Sequence, residues 1–453
     1  MKISISHAKA LLSSIALVLA TICLSVDARA AESVNVRVEL DRSVLPVAAK
    51  ETVVVKISLD GARNEQPEAR PPINLGLVID RSGSMGGEKI EQARLVAIEA
   101  VRRLSGNDIV SVVAFDSEVR TLVPATRVTA RNDIEKIISH IMTGNSTALY
   151  AGVVEGAAQV REHLGKPGYT HRVILLSDGQ ANVGPSTPDE LGALGVKLIR
   201  DRISVTTIGL GLGYDEDLMT RLALKSDGNT YFARNAGDLS DIFRTELGDV
   251  LNVVARDVKI IITFPAHVRP LRFVGREGII KGQRAELTIN QIYGGQEKFA
   301  LVEMEISGAK DGERLDIATT DITYEDARAQ KRHTRKASAS ARFSADQAAV
   351  IKSANLKVQA DHAEAIAADA KDEAVSLSDK GQRKEAAARL RQASRQMNNL
   401  GKTYGNQEVL EAAQESAALA DELEQQEISN ERRKALRTGS AQQKSQQGKS
   451  SSR

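Results

Sequence analysis

Residues 75–87 read Leu75-Gly76-Leu77-Val78-Ile79-Asp80-Arg81-Ser82-Gly83-Ser84-Met85-Gly86-Gly87. The first five are apolar or small without a break, which predicts a strand buried on both faces. Helical periodicity starts at Glu88, so residues 80–87 form a strand-to-helix loop. In an open α/β sheet, ligands sit beyond the carboxyl ends of the strands. The loop is therefore placed to present side chains there. Asp80, Ser82 and Ser84 alternate along it and offer one carboxylate and two hydroxyls. These are hard oxygen donors, suited to Mg²⁺, Mn²⁺ or Ca²⁺ and not to Zn²⁺ or Cu²⁺. Gly83 allows the turn that aims them at one point.

Three donors fall short of the roughly six oxygens that Mg²⁺ takes. Two further segments supply candidates. Thr143-Gly144-Asn145-Ser146-Thr147-Ala148 leads into a helix from Leu149, and Leu175-Leu176-Ser177-Asp178-Gly179 closes another buried strand. Thr147 adds a hydroxyl and Asp178 a carboxylate. The five side chains still leave an incomplete shell, to be filled by water and an external acidic group. Plainer readings stand beside this one: Asp80 or Ser84 as a cap of the following helix, and Asp178-Gly179 as a simple turn.

Outward from this loop, short apolar runs alternate with amphipathic stretches across residues 72–250. Strands are predicted at 75–79, 109–115, 173–176, 205–210 and 230–233. Helices are predicted at 89–104, 132–141, 149–164, 188–202, 216–224 and 238–250, with an antiparallel edge strand near 120–123. This is the pattern of an α/β, doubly wound, mostly parallel sheet. Residues 31–66 carry period-two strands: Val34, Val36, Val38 and Leu40, then Val53, Val55, Ile57 and Leu59, each set on one face with the other face solvated. Alternation resumes over residues 251–326, with glycines between the strands. The α/β unit is thus expected to be inserted in an antiparallel β-sandwich. Residues 327–340, charged and rich in small residues, read as a hinge or loop. Residues 345–425 read as an Ala-rich helical hairpin that must pack on the sandwich or on a partner. Residues 432–453 read as a disordered basic tail.

The segments Asp80-Arg81-Ser82-Gly83-Ser84, Thr147 and Asp178 within Ser-Asp-Gly resemble the von Willebrand factor type A (VWA) domain, over residues 72 to about 250. The resemblance implies a doubly wound, Rossmann-like fold with a metal-ion-dependent adhesion site. It implies Ser82, Ser84 and Thr147 as direct ligands, and Asp80 and Asp178 as ligands often acting through water. The flanking strands and Ala-rich helices are more loosely similar to exported bacterial proteins that carry this domain centrally.

Composition narrows the function classes. The chain has 453 residues and a hydrophobic fraction of 42%, ordinary for a globular protein. Aromatics are 3% and Trp is absent, which argues against a binding surface of stacked rings. Residues 1–30 have the layout of a secretory signal peptide: Lys2 and Lys9, an apolar stretch at 10–26, and Ala28-Arg29-Ala30 as a cleavage site. The alternative is an inner-membrane anchor through residues 10–26, and membrane contact is expected only in that case. Cleavage after Ala30 brings basic and acidic residues into balance, so nothing global favours nucleic acid. It also removes Cys23, the only cysteine, and with it any disulfide or thiolate chemistry.

Enzymatic readings fail on pattern. Ser82 lacks the G-x-S-x-G frame. His140, His163 and His171 are placed on helices or at the wrong strand end to serve it as a base. No H-E-x-x-H or G-x-x-x-x-G-K-[ST] occurs, and Gly209 to Gly213 lacks dinucleotide-loop spacing. The expectation is a non-enzymatic exported protein, periplasmic or extracellular. It would use a divalent cation, Mg²⁺ first and Mn²⁺ or Ca²⁺ as alternatives, to ligate an Asp or Glu of a protein partner. The other reading is an envelope assembly platform in which metal only stabilises the loops. Oligomeric state is not legible.

Overall fold

The computed structural model describes residues 33–47, 50–63 and 70–449. The signal-peptide reading of residues 1–30 lies outside them. The chain starts with β1 (Val34–Leu40), β2 (Val44–Pro46) and β3 (Lys50–Gly61). It then enters the α/β unit through β4 (Ile73–Asp80), α1 (Glu88–Arg103), β5 (Ile109–Phe115) and β6 (Val119–Arg127). The unit continues with α2 (Arg131–Ser139), α3 (Leu149–Arg161), β7 (Thr170–Ser177) and α4 (Pro188–Arg200). It closes with β8 (Ile203–Leu210), α5 (Glu216–Lys225), β9 (Thr230–Ala233) and α6 (Asp238–Val250).

These strands form one sheet in the order β6-β5-β4-β7-β8-β9, parallel except for the antiparallel edge strand β6. Every residue of β4, β5, β7 and β8 is buried, as continuous apolar strands covered by helices on both faces require. Leu75, Leu77 and Ile79 pack with Val96, Ala100 and Phe243 on one face. Val78, Val113 and Val173 pack with Val153, Leu191 and Leu222 on the other.

The chain returns through β10 (Val253–Thr263), β11 (Val268–Val274), β12 (Ile279–Lys281), β13 (Arg284–Tyr293), β14 (Glu297–Ser307), β15 (Arg314–Asp326) and β16 (Arg332–Ser344). Two sheets result, β1-β3-β14-β11 and β12-β13-β10-β15-β16-β2. Val53, Val55, Ile57 and Leu59 from the first sheet share a core with Val258, Ile260, Ile289 and Ile322 from the second, so the α/β unit interrupts a sandwich. Arg172 of β7 joins the two parts. It is fully buried and donates to Thr206 Oγ1 at 3.2 Å and to Gln291 Oε1 at 2.8 Å, beside Tyr293 and Glu246.

Four expectations are corrected. First, β3 is not half-solvated: Lys56, Ser58 and Asp60 are buried with their apolar neighbours. Helices cover the outer face of its sheet, and Lys56 finds Glu297 Oε1 at 2.6 Å and Asp361 Oδ2 at 2.5 Å there. Second, residues 332–344 are strand β16, not a hinge. It pairs along β15 with Ala339, Ala341 and Phe343 turned inward, and alanines carry a weak strand signal. Third, the hairpin is part of a larger helical layer: α7 (Gln347–Lys352), α8 (Leu356–Asp379), α9 (Arg383–Tyr404), α10 (Gln407–Gln425) and α11 (Asn430–Ser445). Val358, Ile366, Leu390 and Leu423 of this layer pack onto Val54, Phe299 and Leu301 of the sandwich.

Fourth, the basic tail is largely ordered, because α11 and the residues to Lys449 lie on the fold. Arg437 Nε pairs with Asp217 at 2.9 Å, Lys444 Nζ with Asp369 at 3.1 Å and Lys449 Nζ with Asp361 at 2.5 Å. The acids come from distant segments, so local composition hides them. Among the described residues, no helix is long and apolar enough to cross a membrane.

Candidate metal centre

Strand β4 lies between β5 and β7, where the strand order reverses, and β4 ends at Asp80 while β7 ends at Ser177. Both strands are fixed by burial on two faces, so their last residues are held rigidly at one edge of the sheet. This is the switch-point crevice in which such sheets bind ligands. Asp80 has no solvent exposure. Its Oδ1 accepts the Ser82 N–H at 2.8 Å, and its Oδ2 accepts the Ser177 hydroxyl at 2.5 Å. Burial outweighs these hydrogen bonds and pushes the carboxyl up to about 6, with the Asp178 charge acting the same way.

After Asp80 the chain makes one 3₁₀ turn, Gly83–Met85, before α1. The turn brings the Ser82 and Ser84 hydroxyls to 3.1 Å, and the Ser84 hydroxyl donates to Asp178 Oδ1 at 2.7 Å. Neither Asp80 nor Ser84 caps α1: Gly87 holds that position, without a side-chain bond. Met85, fully buried, anchors the loop in the core.

Thr147 arrives from the loop before α3. Its N–H donates to Asn182 Oδ1 at 2.8 Å, and its carbonyl accepts the Asn182 N–H at 3.2 Å. Two main-chain bonds zip this loop to the first: Gly144 N–H to the Arg81 carbonyl at 2.6 Å, and Gly83 N–H to the Asn145 carbonyl at 2.8 Å. Beneath them Arg81 pairs with Asp116 Oδ2 at 2.9 Å. Gly179 keeps the cradle open, because a Cβ there would lie 3.0 Å from Thr147 Oγ1 and 3.6 Å from Asp80 Oδ2.

Asp80, Ser82, Ser84, Thr147 and Asp178 are therefore neighbours around one crevice, although 98 positions separate the first from the last. Three hydroxyls and two carboxylates make a donor set that fits a hard divalent cation. Among the described residues, no group of three or more His, Cys, Asp or Glu is arranged to hold a metal. The donor chemistry is thus hydroxyl-rich rather than the nitrogen or sulfur set of a zinc site. Ser84 is the donor that faces solvent, whereas Asp80, Ser82, Thr147 and Asp178 are buried.

The histidines stand away from this crevice. His140 is exposed and follows α2, His163 follows α3, and His171 is buried near the start of β7, at the other end of the strand from Asp178. Sequence reasoning missed four residues that shape the site: Lys89, Asp116, Ser177 and Asn182. Asp116 and Ser177 had a usable signal, since each sits at the carboxyl end of a predicted buried strand. Lys89 and Asn182 had none, because helix surfaces and loops commonly carry such residues.

A mostly parallel sheet with candidate oxygen donors from three loops gathered at its switch point is the arrangement on which the comparisons bear. Residues 74–245 match the von Willebrand factor type A domain family, so this part of the chain is a VWA domain. It is 26% identical over 275 residues to the protein sll0103 of Synechocystis, covering 58% of this chain and 64% of that one. It is 29% identical over 223 residues to YfbK of Escherichia coli K12, covering 48% of this chain and 38% of that one. The chain thus spans less than two thirds of either relative. Human inter-alpha-trypsin inhibitor heavy chain H3 is 29% identical over 184 residues, 39% of this chain and 20% of that one. Among solved structures, a von Willebrand factor type A protein from Catenulispora acidiphila superposes with a TM-score of 0.65 at 16% identity, over 85% of this chain and 90% of that one. The ArnB paralog VWA2 from Sulfolobus acidocaldarius gives 0.59 at 15% identity, over 91% and 98%. At such identities the likeness concerns the fold, and it reaches well beyond the VWA unit.

Proposed function

We propose that this protein is a non-enzymatic binding module, acting outside the cytoplasm, that ligates an acidic residue of a protein partner through a divalent cation. Mg²⁺ is the first choice, held by Asp80, Ser82, Ser84, Thr147 and Asp178. The observation that carries this reading is the meeting of three hydroxyls and two carboxylates at the rim of one crevice, with Ser84 open to solvent. A bound cation supplies a Lewis-acid position for an incoming oxygen. The chain's own part is to fix the donors. Ser177 and the Ser82 N–H orient Asp80, Asn182 orients Thr147, and the Arg81–Asp116 pair stiffens the floor. The direct donors are neutral hydroxyls and the two carboxylates no more than balance a divalent ion, so a bound ion would stay electrophilic towards an acidic ligand at its open position. The signal-peptide layout of residues 1–30 supports export.

The test is titration of the full chain with Mg²⁺ and Mn²⁺, beside an Asp80→Ala variant, and capture of partners from envelope extract with and without chelator. Binding that vanishes in the variant, and a captured protein released by chelator, are expected. A variant that titrates like the parent would refute the site.

A further inference from the structure

Lys89 sits in the first turn of α1 and turns its side chain back over the crevice. Its Nζ pairs with Asp178 Oδ2 and donates to the Ser84 carbonyl at 3.3 Å. The Asp178 side chain has no solvent exposure, while that of Lys89 is 35% exposed. These two bonds fix where the lysine's ammonium lies. Its Cε and Nζ lie 3.9 Å from where a Cβ on Gly211 would stand, at the end of β8. Its ammonium is thus held among the loop after β4, the end of β7 and the end of β8.

We propose that Lys89 is a built-in competitor for the site, an internal cation that sets the threshold for divalent-ion binding. The proposal rests on the reading that these residues take such an ion. A buried carboxylate needs a counter-charge, and Lys89 supplies it to Asp178. A divalent ion that draws on Asp178, directly or through water, brings a second positive charge to the same carboxylate. Like charges at such range repel strongly in a partly buried setting. Ion binding is therefore coupled to retreat of the lysine. The ion gains less than the donor set alone would give, and the loops stay neutralised without it. The hydroxyls of Ser82, Ser84 and Thr147 carry no charge to neutralise, so the competition falls on Asp178. By linkage, whatever draws Lys89 away tightens ion binding by the same factor. An acidic partner arriving at the rim has the charge to do so.

Isothermal titration of the full chain with Mg²⁺ tests this, with Lys89→Met, Lys89→Arg and Asp80→Ala beside the parent, and thermal melting of each in chelator. Lys89→Met keeps the stem and loses the charge. It is expected to bind Mg²⁺ about tenfold tighter, to melt lower than the parent in chelator, and to gain more from added Mg²⁺. Lys89→Arg should keep the affinity of the parent. If Lys89→Met binds Mg²⁺ no tighter than the parent while Asp80→Ala abolishes binding, the competitor role is overturned and the metal site stands. If Asp80→Ala and the parent titrate alike, the metal site falls and the competitor role with it.

Discussion

Lys434 Nζ donates to the main-chain carbonyl of Tyr214 at 2.6 Å, and so ties helix α11 to a loop on the face that carries the candidate metal site. The same ammonium pairs with Glu216 and lies 4.5 Å from the Tyr214 ring centroid. One residue before Tyr214, Gly213 packs so tightly that a Cβ would sit 2.8 Å from the Asp178 carbonyl. Helix α11 thus reaches the ligand loops through two contacts. With the residues after it, α11 also covers the outer edge of β9: Gln442 donates to the Thr230 carbonyl at 2.9 Å, and the Thr230 N–H donates to Gln447 at 3.0 Å.

The first expectation follows from that docking. Lys434→Met removes the charge from a buried pair, but Arg433 still reaches Glu216. The loss should be about 2 kcal/mol, below the roughly 3–5 kcal/mol of a fully orphaned partner, read as a shift in urea midpoint. Truncation after Ile428 should go further and bare the β9 edge, an open ladder that invites pairing between chains. Sedimentation should then show self-association beyond that of the parent. A truncated chain that sediments like the parent with an unchanged midpoint would mean that α11 adds nothing to the fold.

Gly144 offers a test of the site in which every candidate ligand keeps its identity. A Cβ at this position would lie 1.8 Å from Asp116 Oδ2. Gly144→Ala must therefore push Asp116 off Arg81 or lift the Thr147 loop, and the Gly144 N–H bond to Arg81 strains either way. Site geometry tolerates displacements of only about 0.5 Å. Mg²⁺ affinity should fall at least about tenfold, while the unfolding midpoint moves less, because the fault lies in a surface loop. Equal affinity in parent and variant would separate the Arg81–Asp116 floor from ion binding.

The α/β unit was legible because its strands are continuous apolar runs and its helices periodic, signals that need no tertiary information. That the five candidate residues would meet was legible for a related reason: each lies at a strand end or in a loop whose place follows from the strand or helix beside it. What stayed hidden depends on partners far away in sequence. Lys56 and Asp60 looked solvated because Glu297, Arg37 and Asp361 are supplied by other elements. Arg433, Lys434 and Arg437 looked like a solvated tail because Glu216, Asp217 and Asp379 lie up to 218 positions away. Strand β16 looked like a hinge because its inward residues are mostly alanines. Charge pairing across a fold leaves no local periodicity, whereas burial of apolar side chains does.

His171 gives the pH dependence. Burial, aided by the positive charges of Arg256 and Arg202, holds its imidazole down to about 4 from the ordinary 6.5. Asn74 Nδ2 lies 3.2 Å from its Nδ1, and donation from Asn74 suits the neutral ring. The folded protein therefore keeps His171 neutral where the unfolded chain already takes a proton. Its contribution is complete above pH 6.5 and is lost as pH falls from there towards 4. The span is worth up to about 3 kcal/mol, of which about 2 kcal/mol falls between pH 7 and 5. His171→Gln keeps an acceptor for Asn74 but cannot take the proton. Urea unfolding at pH 7 and pH 5 should show the parent losing about 2 kcal/mol more than the variant. Parallel losses in the two proteins would place the acid sensitivity on other groups.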